Sequence, residues 1–91
     1  MTQTTTDKHR WTIVVADQEG DTANVTENEH AHLDQLLRLG VRKLVGDHAD
    51  PGQYDVLIDG TIQEDLGRTL AEAGLHDHSE VLILPKDVSR G

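Results

Sequence analysis

Histidine is the residue type in this sequence that points most directly to chemistry, since the chain has six histidines and no cysteine. His30 and His32 are two residues apart, and His76 and His78 flank Asp77. Imidazole nitrogens are common ligands of zinc. On a helix, however, residues two apart point to different sides, which separates the first pair. The second pair lies in a predicted loop, and the sequence implies no third ligand. We therefore predict solvated histidines and no metal site.

A catalytic interpretation has equally little support. No nucleophile motif accompanies the histidines, and the glycines follow no phosphate-loop spacing. Without cysteine there is no thiolate catalysis, no Cys-ligated zinc and no disulfide. We predict that the protein is not an enzyme and uses no cofactor. A small enzyme is the least favoured of three hypotheses about its function.

Size and charge limit the partners. A chain of 91 residues is one domain, and 17 acidic residues against 8 Lys and Arg give it a net charge of −9. Phosphate backbones repel such a chain, so we predict no nucleic-acid binding. The acidic residues are scattered, which is typical of a surface adapted for solubility. An acidic face that meets a basic partner is the alternative.

The location follows from what the sequence lacks. The first ten residues contain no apolar segment of a signal peptide, and no stretch approaches the ~18 apolar residues of a membrane span. The absence of cysteine is typical of a reducing compartment. We predict a soluble, cytoplasmic protein that does not bind membranes.

The first half of the chain predicts a hairpin followed by a helix. Residues 11–16 are β-branched and apolar, residues 17–21 form a turn, and residues 22–26 alternate as a half-buried strand. Asn28 is the predicted N-cap of a helix over residues 29–45. Its apolar positions recur every three or four residues, and Gly46 ends it; the apolar stripe comprises Leu33, Leu36, Leu37, Val41 and Leu44, with Gly40 among them.

The second half predicts short strands. Residues 54–58 form a strand that turns at Asp59-Gly60 into a brief strand over residues 61–63. A helical turn over residues 69–73 is capped by Thr69 and ended by Gly74, and the last strand covers residues 80–84. We predict a disordered leader (1–10), one domain (11–86) and a flexible tail (87–91).

These elements define an α+β fold. One long helix must cover its apolar stripe with one face of a mixed sheet of four to five strands. The first and last strands are the most continuously apolar, so we expect them to lie side by side in the centre. This order is a β-grasp arrangement.

Residues 57–84 resemble ubiquitin. Both chains have an apolar strand, a tight turn ending in glycine, a polar link, the string Gly-Arg-Thr-Leu, a helical turn and a Leu-rich last strand. Here the string is Gly67-Arg68-Thr69-Leu70, and the link from Gly60 is one residue longer. The layout extends over residues 11–86. The chain is thus identified as a ubiquitin-like β-grasp protein of the prokaryotic type.

The resemblance implies a docking face on the sheet. If Val56 and Ile58 face the helix, alternation turns Leu57 outward. The same argument turns Leu82 and Leu84 outward from the last strand. We predict that these three leucines form a partner-binding patch, although scattered surface leucines need no such explanation.

The tail departs from the family. Modifiers of the family end in two glycines, because the terminal carboxylate is adenylated and then passed to a thiol in a narrow channel. This sequence ends in Ser89-Arg90-Gly91, and Pro85 and Asp87 lie where ubiquitin has basic residues. Arg90 and Gly91 are the predicted conjugation tail of a variant system. The alternative is a chain that simply ends in glycine.

Two hypotheses about function follow. The first is a ubiquitin-like protein that acts by protein–protein contact, and that is optionally a modifier conjugated through Gly91. Its partners would then resemble the ubiquitin-activating and ubiquitin-conjugating enzymes and metalloprotease-type deconjugating enzymes. The second is a non-conjugated β-grasp accessory subunit of a secretion or oxygenase complex, for which the tail is irrelevant.

Overall fold

A computed structural model describes residues 10–91. The predicted leader lies outside the described residues except for Arg10, which begins the first strand. The elements in chain order are β1 (Arg10–Ala16), β2 (Thr22–Asn28), α1 (Leu33–Leu44), β3 (Tyr54–Ile58), β4 (Thr61–Ile62), β5 (Glu80–Pro85) and α2 (Lys86–Ser89), with a 3-10 turn at Pro51–Gln53. No helix in this part of the chain is long and apolar enough to cross a membrane.

The strands form one mixed sheet in the order β2-β1-β5-β3-β4. The β1–β5 pair is parallel, and the other pairs are antiparallel. The predicted central position of the first and last strands is confirmed. Their apolar sequences fit this position, because central strands lose contact with water along both edges.

One face of the sheet packs on α1. The helix contributes Leu33, Leu36, Leu37 and Val41, all of which are buried, and the sheet meets them with Ile13, Val15, Val25, Val56, Val81 and Ile83. Spacings of three and four place the helical residues on one side, and alternation places the strand residues on one face. Gly40 lets the helix approach β1, since a Cβ there would lie 2.9 Å from Cγ1 of Val15.

The helix begins four residues later than the sequence predicts. Asn28 does not cap it; its side chain accepts a hydrogen bond from the backbone N–H of His30 at 2.8 Å. The N-cap is His32, whose backbone forms a bridge with Thr69. The N–H groups of Leu33 and Asp34 donate to carbonyls of the later loop at 2.9 and 3.0 Å. These long-range bonds satisfy donors that a helix start leaves unpaired, and sequence spacing contains no sign of them.

The end of α1 is as predicted. Gly46 has a φ of +134°, and its N–H donates to the carbonyl of Val41 at 3.0 Å. This closure needs a left-handed residue, which glycine adopts without steric cost.

The turns agree well with the sequence. Asp59 and Gly60 have φ values of +53° and +81°, as a type I′ hairpin requires. The predicted cap at Thr69 is confirmed: its Oγ1 accepts from the N–H of Glu72, whose side chain accepts from the N–H of Thr69. The predicted helical turn follows: the N–H of Ala73 donates to the carbonyl of Thr69 at 3.0 Å, and Gly74 ends the turn with a φ of +87°. The short helix is α2, where the sequence predicts a tail.

Candidate interaction surface

An apolar row crosses the face of the sheet opposite α1. Leu82 of β5 pairs with Ala16 of β1 and with Leu57 of β3, and Leu57 also pairs with Ile62 of β4. Paired residues project to the same face. We call these four residues the apolar row. Three of them, Ala16, Leu57 and Leu82, line a shallow depression whose other residues include Asp59 and Glu80, so its rim is acidic.

The three predicted patch residues share this face but differ in exposure. Leu82 and Leu84 are half-buried, as surface contacts would be. Leu57 is only 9% exposed, although it lies outside the core cluster on the helix side. The outward direction that alternation assigns to Leu57 therefore does not make it a surface residue. It lies between paired side chains from both neighbouring strands.

A buried carboxylate lies beside the row. Asp55 pairs with Leu84 and is 4% exposed, which makes it the one buried polar or charged side chain among residues 10–91. Its Oδ2 accepts hydrogen bonds from Oγ of Ser89 at 2.5 Å and from Nε of Arg90 at 2.9 Å. Its Oδ1 accepts from Nη2 of Arg90 at 2.9 Å. Arg90 thus holds the carboxylate with two nitrogens, a strong arrangement for an ion pair.

These contacts change the titration of both groups. Hydrogen bonds from Arg90 are the largest cause that lowers the pKa of Asp55, and they outweigh burial, which acts to raise it. The Ser89 hydrogen bond and the charges of Arg90 and Lys86 lower it further. The pKa of Arg90 is raised, mainly by its hydrogen bond to Asp55. The pair is therefore fully charged at neutral pH.

The tail consequently has a defined position. The helix α2 packs against β3 and β5, and Nη2 of Arg90 also bonds to Oε1 of Glu64 at 3.1 Å. We call the face of the sheet opposite α1 the free face. Of the predicted conjugation residues, Arg90 thus lies at one end of the free face, and Gly91 follows it in the chain. The sequence predicts a flexible segment here, whereas the structure gives it a helical turn and three bonds to Asp55.

Hydrogen bonds to backbone groups hold the segments that contain His32 and His78. Nδ1 of His32 lies 2.6 Å from the carbonyl of Gly67, which links the start of α1 to the loop. Asp77 accepts from the N–H of Thr12 at 2.8 Å, and the N–H of His78 donates to the carbonyl of Thr12 at 2.7 Å. This loop is therefore fastened to β1. Within residues 10–91, no group of three or more potential ligands could hold a metal ion.

Sequence reasoning missed Asp55, Ala16 and Ile62 as members of this face. A signal for Asp55 was present, because it is the charged residue in an otherwise apolar strand and shares the parity of Leu57. Its partner Arg90 lies 35 residues away, and no local pattern indicates that pairing.

Comparison with known proteins adds no assignment. No protein-family model matches the chain, and a search of curated proteins finds no significant match.

Proposed function

We propose that this protein is a ubiquitin-like β-grasp binding module that acts in the cytoplasm by docking its free sheet face onto another protein. The observation that carries the proposal is the apolar row, because α1 covers the opposite face and leaves Ala16, Ile62 and Leu82 partly exposed on this one. The strand order, with parallel first and last strands in the centre, supports the β-grasp assignment. No catalytic group is required by this proposal.

The partner has an apolar centre and a basic rim. The apolar row matches the centre, and Asp59 and Glu80 lie at its edge. The net charge of −9 strengthens attraction to a basic surface over distances of about 10 Å at moderate salt. Raising the salt concentration should therefore slow association more than it speeds dissociation.

Leu82 is the residue to test. Leu82→Asp places a charge in the middle of the row at a half-buried position, and Thr26→Asp places the same charge on β2, which is at the edge of the sheet. Leu57→Asp is a poor probe, since Leu57 is buried and the variant confounds binding with stability. The assay starts from partners that are recovered from native cells and identified by mass spectrometry. Each partner is then purified and titrated against each variant.

The expected result is a loss of affinity of about tenfold or more for Leu82→Asp, the usual scale for a central interface residue. Thr26→Asp should bind like the parent chain. Circular dichroism must show the same fold for both variants. Equal affinity of Leu82→Asp and the parent for a purified partner would refute docking through the row.

Conjugation through Gly91 stays a prediction from the ubiquitin resemblance, and the accessory-subunit hypothesis does not need it. Conjugation would require the contacts of Arg90 with Asp55 to open, because they hold the adjacent residue on the sheet. Intact-protein mass spectrometry from native cells tests it, with covalent adducts that are lost on deletion of Gly91 as the expected result.

A further inference from the structure

The segment after β5 crosses the end of the free face. Pro85 ends the strand, α2 turns back, and Ser89 and Arg90 reach Asp55 on β3. Leu84 pairs with Asp55, so it projects to the same face beside the residue that the segment contacts. We call residues 86–91 the strap.

Few contacts other than Asp55 hold the strap. None of the residues in α2 is buried, and Val88 is 51% exposed. A helix of four residues has no stability of its own. The second contact of Arg90 is with Glu64, whose side chain is 74% exposed, and such surface pairs contribute little. The strap therefore depends on one buried carboxylate.

Asp55 in turn depends on the strap. Among residues 10–91, the side chains that donate hydrogen bonds to it are those of Ser89 and Arg90. A carboxylate that is 4% exposed needs such partners, because an unpaired buried charge is strongly unfavourable. If the strap lifts, water must reach Asp55, and the end of the face near Leu84 must open with it.

We propose that the strap is an autoinhibitory latch on the free face, closed by the Asp55–Arg90 pair and opened when that pair is broken. Closed, it covers the Leu84 end of the surface and holds Gly91 beside the sheet. Open, it uncovers Leu84 and Asp55 together, which adds an apolar and an acidic group to the surface that faces the partner. The consequence for binding rests on the proposed function, but the latch itself is a property of the free chain.

The latch is tested by NMR on the free 91-residue chain. Backbone heteronuclear NOEs of residues 86–91 report the order of the strap on the picosecond-to-nanosecond timescale. Asp55→Asn keeps the shape of the side chain and removes its charge. Loss of charged hydrogen bonds of this kind should raise the open-to-closed ratio about 10- to 100-fold. We expect the NOEs of the strap to fall to the values of an unstructured tail while those of α1 stay unchanged.

Two further variants keep the test decisive. Arg90→Gln breaks the same pair from the strap side, so it decides the matter if Asp55→Asn fails to fold. Glu27→Gln makes the same change of charge on β2, at the edge of the sheet and beside α1, away from the pair and the apolar row, and its strap should stay ordered. Binding of 1-anilinonaphthalene-8-sulfonate, a dye that reports exposed apolar surface, should rise in the two latch variants and not in Glu27→Gln.

The results separate the two proposals. A strap that is equally ordered in the parent, Asp55→Asn and Arg90→Gln overturns the latch, whatever Leu82→Asp does to partner binding. A strap that is already mobile in the parent chain also overturns it. If the strap is released as expected but Leu82→Asp binds the partner normally, the latch stands and docking through the row fails.

Discussion

The contact between Gly40 of α1 and Val15 of β1 gives a prediction whose size follows from the structure. A Cβ on Gly40 would lie 2.9 Å from Cγ1 of Val15 and 3.5 Å from its Cβ and Cγ2. Carbon atoms attract best at about 3.5–4.0 Å, so the first contact is repulsive. Val15 is fully buried and β-branched, so it has little freedom to move away. Gly40→Ala should therefore strain the core.

Two opposing effects set the change in stability that Gly40→Ala should cause. Alanine in a helix interior is favoured over glycine by about 1 kcal/mol. Overpacking a close-packed core by one methyl group costs about 1–3 kcal/mol. The difference is a destabilisation of about 1 kcal/mol, which lowers the melting temperature by about 4–8 °C for a domain of this size. Urea denaturation should show a lower midpoint with an unchanged slope.

Val15→Ala provides the control for this reasoning. Alone it leaves a cavity, and it should destabilise the protein by about 1–3 kcal/mol. In the double variant the new methyl group of residue 40 fills part of that space. The double variant should thus be more stable than Val15→Ala alone, with a coupling of about 1–2 kcal/mol. If Gly40→Ala is more stable than the parent and the two changes are additive, steric contact at Val15 does not explain Gly40.

Three other measurements follow from the turns and the ion pair. Gly60→Ala should destabilise the protein by about 1–2 kcal/mol in urea denaturation, because φ is +81° while no atom lies within 4 Å of the new methyl group; no change would mean that the turn relaxes. Thr69→Ala should lower the free energy of unfolding by about 1 kcal/mol in the same measurement, because the N–H of Glu72 loses its hydrogen bond to the cap. A decrease of less than about 0.3 kcal/mol, which is within the range of neutral surface substitutions, would contradict the cap. The strap should loosen in acid, because its contacts need the charged form of Asp55. The pKa of Asp55 in the folded protein lies below its ordinary value of 3.8. The ion pair therefore contributes its full stability above pH 3.8 and loses it as the pH falls through the lower pKa of the folded state. The charged groups around Asp55 are Arg90, Lys86 and, through Arg90, Glu64. The NOEs of the strap should be constant from neutral pH down to about 5 and decrease below about 4; a decrease near neutral pH would contradict this assignment.

Local patterns predicted those parts of the fold whose causes are local. The stripe that begins at Leu33 and the left-handed glycine at Gly46 locate the body and end of α1. The Asp59-Gly60 pair predicts its hairpin because two consecutive positive φ values exclude most other residues. The apolar sequences of β1 and β5 place them in the centre, since the core needs its most continuous apolar strands there.

The errors occur where a distant segment overrides the local preference. Asn28 is a good helix cap, yet the next residues bond to the loop near Thr69, so the helix starts at Leu33. No local pattern indicates α2, because Asp55, to which Ser89 and Arg90 bond, is far away in sequence. Alternation gave the correct face for Leu57 but not its exposure, which depends on the side chains of β4 and β5.

Two neighbouring leucines of the free face thus have different roles, one in stability and one in binding. Leu57 lies between two strands in the row and is almost as buried as the core, so its apolar area contributes to stability. Leu82, one strand nearer the centre, keeps part of its surface in water and still has area to offer a partner. Substitutions at Leu57 should therefore change the urea midpoint first and binding only as a consequence. Substitutions at Leu82 should change binding at nearly constant stability, and a partner that responded only to changes at Leu57 would be recognising the intact fold and not the row.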